Sequence, residues 1–270
     1  MTFREIFTVP FIVQNKPDSK WWFGRTGPSH AKRGIDRNIY KGGLNMRYLL
    51  LCVIGFAIQV SFILVENKKK YVPAVILKGC AALVFIIIGV LSAQLTSNPS
   101  FAKLVVIGLI LGGIGDVLLN MRFVFEKNGQ KIFLLGIAAF LSGHIMYLAA
   151  LFLLSNNLLV SLICGLVAAV LLLRWIFSKI GEVQKAFKIF GCVYIGAIVL
   201  MTAAAIGNLI SNPGSTGALL YVIGAVLFTA SDVIMIFNTF GSTQKFSMRA
   251  ANLSLYYLGQ LLIAISLQFI

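Results

Sequence analysis

From residue 48 to the C-terminus the chain is a succession of apolar runs about 20 residues long, nearly free of charge, and separated by short polar connections. At 1.5 Å of rise per residue, about 20 residues of helix cross the roughly 30 Å hydrocarbon core of a bilayer. No water is available there to satisfy backbone groups, so each run must close its own hydrogen bonds as a helix. Eight spans are expected, at roughly 48–65, 72–95, 101–120, 132–154, 157–178, 187–210, 217–240 and 250–269. The fold class is therefore all-α: a polytopic transmembrane bundle over residues 48–270, preceded by a basic tail over residues 1–47. With 59% hydrophobic and 11% charged residues and a mean hydropathy of +0.93, the chain lies outside the soluble range, which excludes a cytosolic globular enzyme.

A net charge of +15 invites a nucleic-acid reading, but the Lys and Arg side chains sit in the tail and in short segments between spans. That is the pattern of membrane-flanking charge, so no nucleic acid is expected as a partner. The connections after spans one, three, five and seven hold Lys68, Lys69, Lys70; Arg122, Lys127, Lys131; Arg174, Lys179, Lys185, Lys188; and Lys245, Arg249. Those after spans two, four and six hold none, which turns the first set toward the cytosol by the positive-inside rule. The tail opposes this orientation, with Lys32, Arg33, Arg37, Lys41 and Arg47 on the other side. Its N-terminus, MTFREIFTVPFIVQNK, lacks the apolar core and cleavage site of a signal peptide. The first span is expected to direct its own insertion into an endomembrane such as the endoplasmic reticulum. The four cysteines lie in apolar runs without CxxC spacing, so neither disulfides nor a zinc cluster is indicated.

An internal repeat is visible. Gly115-Asp116-Val117 matches Ser231-Asp232-Val233 at an offset of 116, and the segment from Ala139 to His144 matches the one from Ala251 to Tyr256 at an offset of 112. Four spans duplicated in parallel would place Asp116 and Asp232 across one central cavity.

Asp116 and Asp232 are the only acids inside the spans. A carboxylate there costs about 2.5 to 3.5 kcal/mol near the bilayer centre. Two are a large fraction of a folding free energy of about 5–15 kcal/mol, so something must compensate for them. They lie roughly 6 and 12 Å from the basic-loop face, Asp232 the deeper. His144 lies near the midplane, and Tyr256, Tyr257 and Gln260 lie in span eight. Asn120 shares a helix face with Asp116, Tyr147 with His144, and Gln260 with Tyr256. Two arrangements are open. In one, the acids form ion pairs with Lys78 or Arg174 that lock helix packing; in the other, favoured because both cations are near enough to span ends to snorkel, they line a water-containing cavity that opens toward the basic loops.

Three-histidine zinc chemistry is excluded by counting, because the chain has only His30, in the tail, and His144. A Ser-His-Asp hydrolase is harder to exclude, since Ser142 and Ser231 are nearby, but no GxSxG elbow is present. Two acids, one histidine and phenol and amide donors suit acid–base hydrolysis by water, with no metal and no cofactor.

GGIGDVLLN, FLLGIAAFLSGHIMYLAAL, LFTASDVIMIFNTF and LSLYYLGQLLIAIS, in this order, resemble the YhhN-type lysoplasmalogenase family of eight-span membrane proteins over about residues 48–268. The tail lies outside the resemblance, and Lys78-Gly79 stands where the family often has Lys-Pro. The resemblance implies a lysophospholipid substrate drawn from the membrane lipids and hydrolysis of its vinyl ether to a fatty aldehyde and a glycerophospho-base. On this expectation Asp232, the deeper acid, is the general acid, and Asp116 stays ionised beside Asn120. His144 positions water or tunes an aspartate, while Lys78, Asn120, Tyr147, Tyr256, Tyr257 and Gln260 bind substrate. The rival readings are a non-catalytic lipid or proton-coupled carrier and an ether-lipid sensor.

Overall fold

A computed structural model describes residues 46–270, apart from positions 156, 182, 242 and 243 and the side chains at 186 and 187. The basic tail thus lies outside the described residues except for its last two, which open the first helix. Eight helices account for nearly all the rest: α1 Met46–Asn67, α2 Tyr71–Ala93, α3 Pro99–Met121, α4 Gly129–Phe152, α5 Leu158–Phe177, α6 Lys185–Ser211, α7 Thr216–Phe240 and α8 Phe246–Ser266. Among the described residues there is no strand, and each helix is long and apolar enough to cross a membrane.

Polar punctuation sets the helix starts. Asn98 caps α3 by accepting from the Phe101 amide at 3.2 Å, with Pro99 in the first turn where its missing N–H is not needed. Ser215 caps α7 in the same way through the Ala218 amide at 3.2 Å. Both starts carry a Ser-Asn-Pro sequence, Ser97-Asn98-Pro99 within the first cap and Ser211-Asn212-Pro213 just before the second.

The packing is duplicated. α1 packs on α2, α2 on α3 and α3 on α4, and the same three pairings recur as α5 on α6, α6 on α7 and α7 on α8. The halves join through α4 against α6 and, equivalently, α8 against α2. Each half has four helices, an even number, so the two run parallel. The register comes from contacts of glycine on glycine backbone. A Cβ on Gly143 would meet the Gly108 carbonyl at 3.0 Å, and one on Gly259 would meet the Gly224 carbonyl at 2.8 Å. Gly108 and Gly224, and likewise Gly143 and Gly259, are 116 residues apart, so one offset relates α2, α3 and α4 to α6, α7 and α8. The offset of 112 expected for the fourth and eighth spans is therefore wrong by about one helical turn. Ala139 is equivalent to Leu255 rather than Ala251, and His144 to Gln260 rather than Tyr256.

The two halves are not equally covered. α1 also packs on α8, whereas α5 makes no comparable contact with α4. α8 is accordingly the central helix, with 67% of its span buried, against 28% for α4. Large apolar side chains such as Leu64, Ile76, Leu135, Leu166 and Ile210 are exposed on the outside of the bundle, as hydrocarbon-facing surfaces are.

Candidate active site

Asp116 on α3 and Asp232 on α7 are equivalent positions of the repeat, and both are 4% exposed. They line one cavity of about 40 Å³, together with Lys78, Asn120, Tyr194, Asn252 and Tyr256. That volume holds a few water molecules and is too small for a lipid chain.

Asp116 faces a cation. The Lys78 ammonium on α2 lies 3.3 Å from Oδ1, and the Tyr256 hydroxyl on α8 donates to Oδ2 at 2.8 Å. A relay stands behind this phenol, in which Tyr147 donates to Gln260 at 2.8 Å and the Gln260 amide donates to the Tyr256 hydroxyl at 3.4 Å. Lys78 is 1% exposed, sits 4.6 Å from the centre of the Tyr256 ring and makes a long contact of 3.5 Å to Gln59. An ammonium and a carboxylate at this distance attract each other, and removing either would leave the other buried and unpaired.

Asp232 faces neutral donors. Tyr194 on α6 donates to Oδ2 at 2.6 Å, and Ser231 makes a longer bond of 3.3 Å to Oδ1. Among the described residues no cation lies within ion-pair distance of it. Asn252 on α8 donates to the Ser231 carbonyl at 2.8 Å and so ties the start of α8 to the acid's own turn. The two carboxyl groups thus share a cavity but differ in charge environment, the usual basis for dividing acid and base roles.

Arg122 and Arg249 close the outer side of the cavity. Arg249 forks onto Glu66, Nε to Oε2 at 3.0 Å and Nη2 to Oε1 at 2.6 Å, and so joins α8 to the end of α1. The Arg122 guanidinium lies 4.5 Å from the ring centres of both Phe123 and Phe133. Its burial, and secondarily the Arg249 charge, bring its pKa down to about 10, which leaves it a cation at neutral pH. Its Nε has no hydrogen-bond partner among the described residues.

Of the residues expected from sequence, Asp116, Asp232, Lys78, Asn120 and Tyr256 border the cavity. Asn120 donates to the Asp116 backbone carbonyl at 2.9 Å, not to its carboxylate. Tyr147 and Gln260 lie behind Tyr256 as its relay and do not border the cavity. Tyr257 is on another face of α8, donating to the Ala81 carbonyl at 3.1 Å and packing on Phe56 and Phe85. His144 is 1% exposed and also off the cavity: its Nδ1 is 2.9 Å from the Phe140 carbonyl, its ring packs on Phe228 and Tyr194, and Nε2 has no hydrogen-bond partner among the described residues.

The snorkelling expected of Lys78 is overturned by its burial and its pairing with Asp116; Arg174 is exposed and joins no ion pair among the described residues. Ion pair and cavity, alternatives in the sequence, coexist here. Nor is Asp232 set apart by depth. The two acids are equivalent in the repeat, and Asp232 is farther from its helix end only because α7 runs on to Phe240. Tyr194, Asn252 and Arg249 are site residues that sequence reasoning misses. The repeat carries a signal for the first, since Tyr194 is Lys78 plus 116.

A sequence model of the YhhN family, the family of the lysoplasmalogenases, matches residues 48–267. No individual curated protein and no solved structure matches the chain.

Proposed function

The chain belongs to the YhhN family, associated with hydrolase activity, and on that premise we propose that it hydrolyses the vinyl ether bond of lysoplasmalogens. The observation that carries the proposal is the pair of equivalent carboxyl groups on one water-sized cavity, one facing an ammonium and the other only hydroxyl groups.

Asp116, opposite Lys78, is the ionised partner. Asp232 has no counter-charge among the described residues, and a buried carboxyl group without one is favoured in its neutral form. With Tyr194 donating to Oδ2 at the shorter distance, Oδ1 is the oxygen that carries the acid proton, and the Ser231 hydroxyl beside it then turns to accept. Asp232 transfers this proton to the β-carbon of the enol ether, leaving a carboxylate and an oxocarbenium ion that Asp116 stabilises electrostatically. Water adds to the cationic carbon and returns its proton to Asp232. The resulting hemiacetal loses its hydroxyl proton as the glycerol oxygen gains one, releasing a fatty aldehyde and the glycerophospho-base with net consumption of one water. Such proton transfers by a positioned group contribute about 10² to 10⁴ in rate.

The test is aldehyde release from a lysoplasmalogen by the detergent-purified full-length protein, with the corresponding ester lysophospholipid as control. Aldehyde from the vinyl ether alone, lost in Asp232→Asn and Asp116→Asn variants that still fold, is the expected result. An inactive wild type that still binds the lipid would move a carrier or sensor ahead.

A further inference from the structure

Arg249 and Phe133 are equivalent positions, 116 residues apart, and each forms a wall between the acid cavity and an outer mouth. The mouths themselves are related by the repeat, one at the starts of α2 and α8, the other at the starts of α6 and α4. Their chemistry has diverged. The mouth behind Arg249, about 560 Å³, carries Lys69, Lys245, Arg122 and Arg249 against a single carboxylate, Glu66. The mouth behind Phe133, about 350 Å³, is lined by Phe133, Phe240, Gly129, Gln130, Gln184 and Thr239, with Arg122 at its edge.

Arg122 belongs to all three spaces and, among the described residues, has no carboxylate partner, whereas Arg249 is already engaged by Glu66. A partly buried guanidinium set between two rings, its buried Nε without a hydrogen-bond partner among the described residues, is a site for an oxyanion, and phosphate is the anion whose geometry suits the guanidinium fork. Below the other mouth the outer faces of α4 and α6 expose Leu135, Ile189 and Val193, a surface on which hydrocarbon can continue into a bilayer.

We propose that the two mouths hold opposite ends of one single-chain phospholipid, its phosphate on Arg122 with Lys69 and Lys245 in the basic mouth and its chain leaving past Phe133 through the apolar mouth. The bond between glycerol and chain then lies over the acid cavity. The choice of a lysolipid rests on the hydrolase reading; the phosphate and hydrocarbon ends follow from the mouths.

The experiment measures binding to the detergent-purified full-length protein, so it does not depend on turnover. Four probes are compared: a 1-O-alkyl lysophospholipid, which has no vinyl ether to cleave; the 1-O-alkyl glycerol, which lacks phosphate; glycerophosphoethanolamine, which lacks the chain; and inorganic phosphate. Arg122→Gln, and Lys245→Gln at an exposed position where folding is not at risk, are expected to weaken the lysophospholipid, the former by about tenfold or more, and to leave the alkyl glycerol unchanged. Phe133→Arg, which copies the equivalent position, is expected to remove most of the affinity by which the lysophospholipid exceeds glycerophosphoethanolamine, and an unchanged difference overturns the chain site. Equal loss for the phosphate-free probe, or no loss in either basic-mouth variant, overturns the phosphate site. Glycerophosphoethanolamine or inorganic phosphate binding as tightly as the lysolipid overturns the chain site. If the lipid binds as expected but the vinyl ether yields no aldehyde, the hydrolase reading falls and this one stands.

Discussion

Lys78 and Tyr194 are the same position of the internal repeat, yet Lys78 sets an ammonium 3.3 Å from Asp116 while Tyr194 sets a phenol 2.6 Å from Asp232. One substitution between duplicated halves thus gives two equivalent acids different charge environments. Tyr194→Phe keeps the ring and removes the hydrogen bond. It is expected to leave folding intact and lower kcat by about tenfold or more. Tyr194→Lys repeats the Lys78 arrangement, fixes Asp232 as a carboxylate and is expected to cost at least about 10² in kcat, read as aldehyde release under saturating lipid. Full activity in both would remove Tyr194 from the mechanism.

The Lys78–Asp116 pair is testable by a double-mutant cycle. Lys78→Met strands a buried carboxylate and is expected to destabilise the fold by about 3–5 kcal/mol. Adding Asp116→Asn removes the stranded charge, so the double variant is expected to recover most of that stability without recovering activity. Thermal unfolding in detergent reads the first effect and aldehyde release the second; additive losses in stability would mean that the two side chains are not coupled.

The spans are legible in the sequence because bilayer thickness fixes helix length: the apolar pattern predicts α7 at roughly 217–240, and it runs Thr216–Phe240. The two acids are legible because a carboxylate in an apolar run is anomalous. Tyr194 is not, since one tyrosine in an apolar helix is ordinary and nothing local marks what it faces. For Lys78 the sequence gives the height along α2 but not the rotation that turns it inward, so snorkelling and burial look alike. The register of α4 against α8 slips by four residues because a shift of about one helical turn keeps nearly the same face, so similar apolar segments match almost as well in either register.

The glycine contacts that fix this register carry a prediction of their own. Gly143 and Gly259 each meet a backbone carbonyl, which cannot move aside as a flexible side chain does. Gly143→Val and Gly259→Val are expected to push α4 from α3 and α8 from α7, each costing about 1–3 kcal/mol. Gly191→Ala is the control, since a Cβ there meets nothing within 4 Å and Ala favours a helix. It is expected to leave the thermal midpoint unchanged or slightly raised. Two valine variants as stable as the control would show that the paired helices can separate freely, and the shared offset would then lose its physical basis.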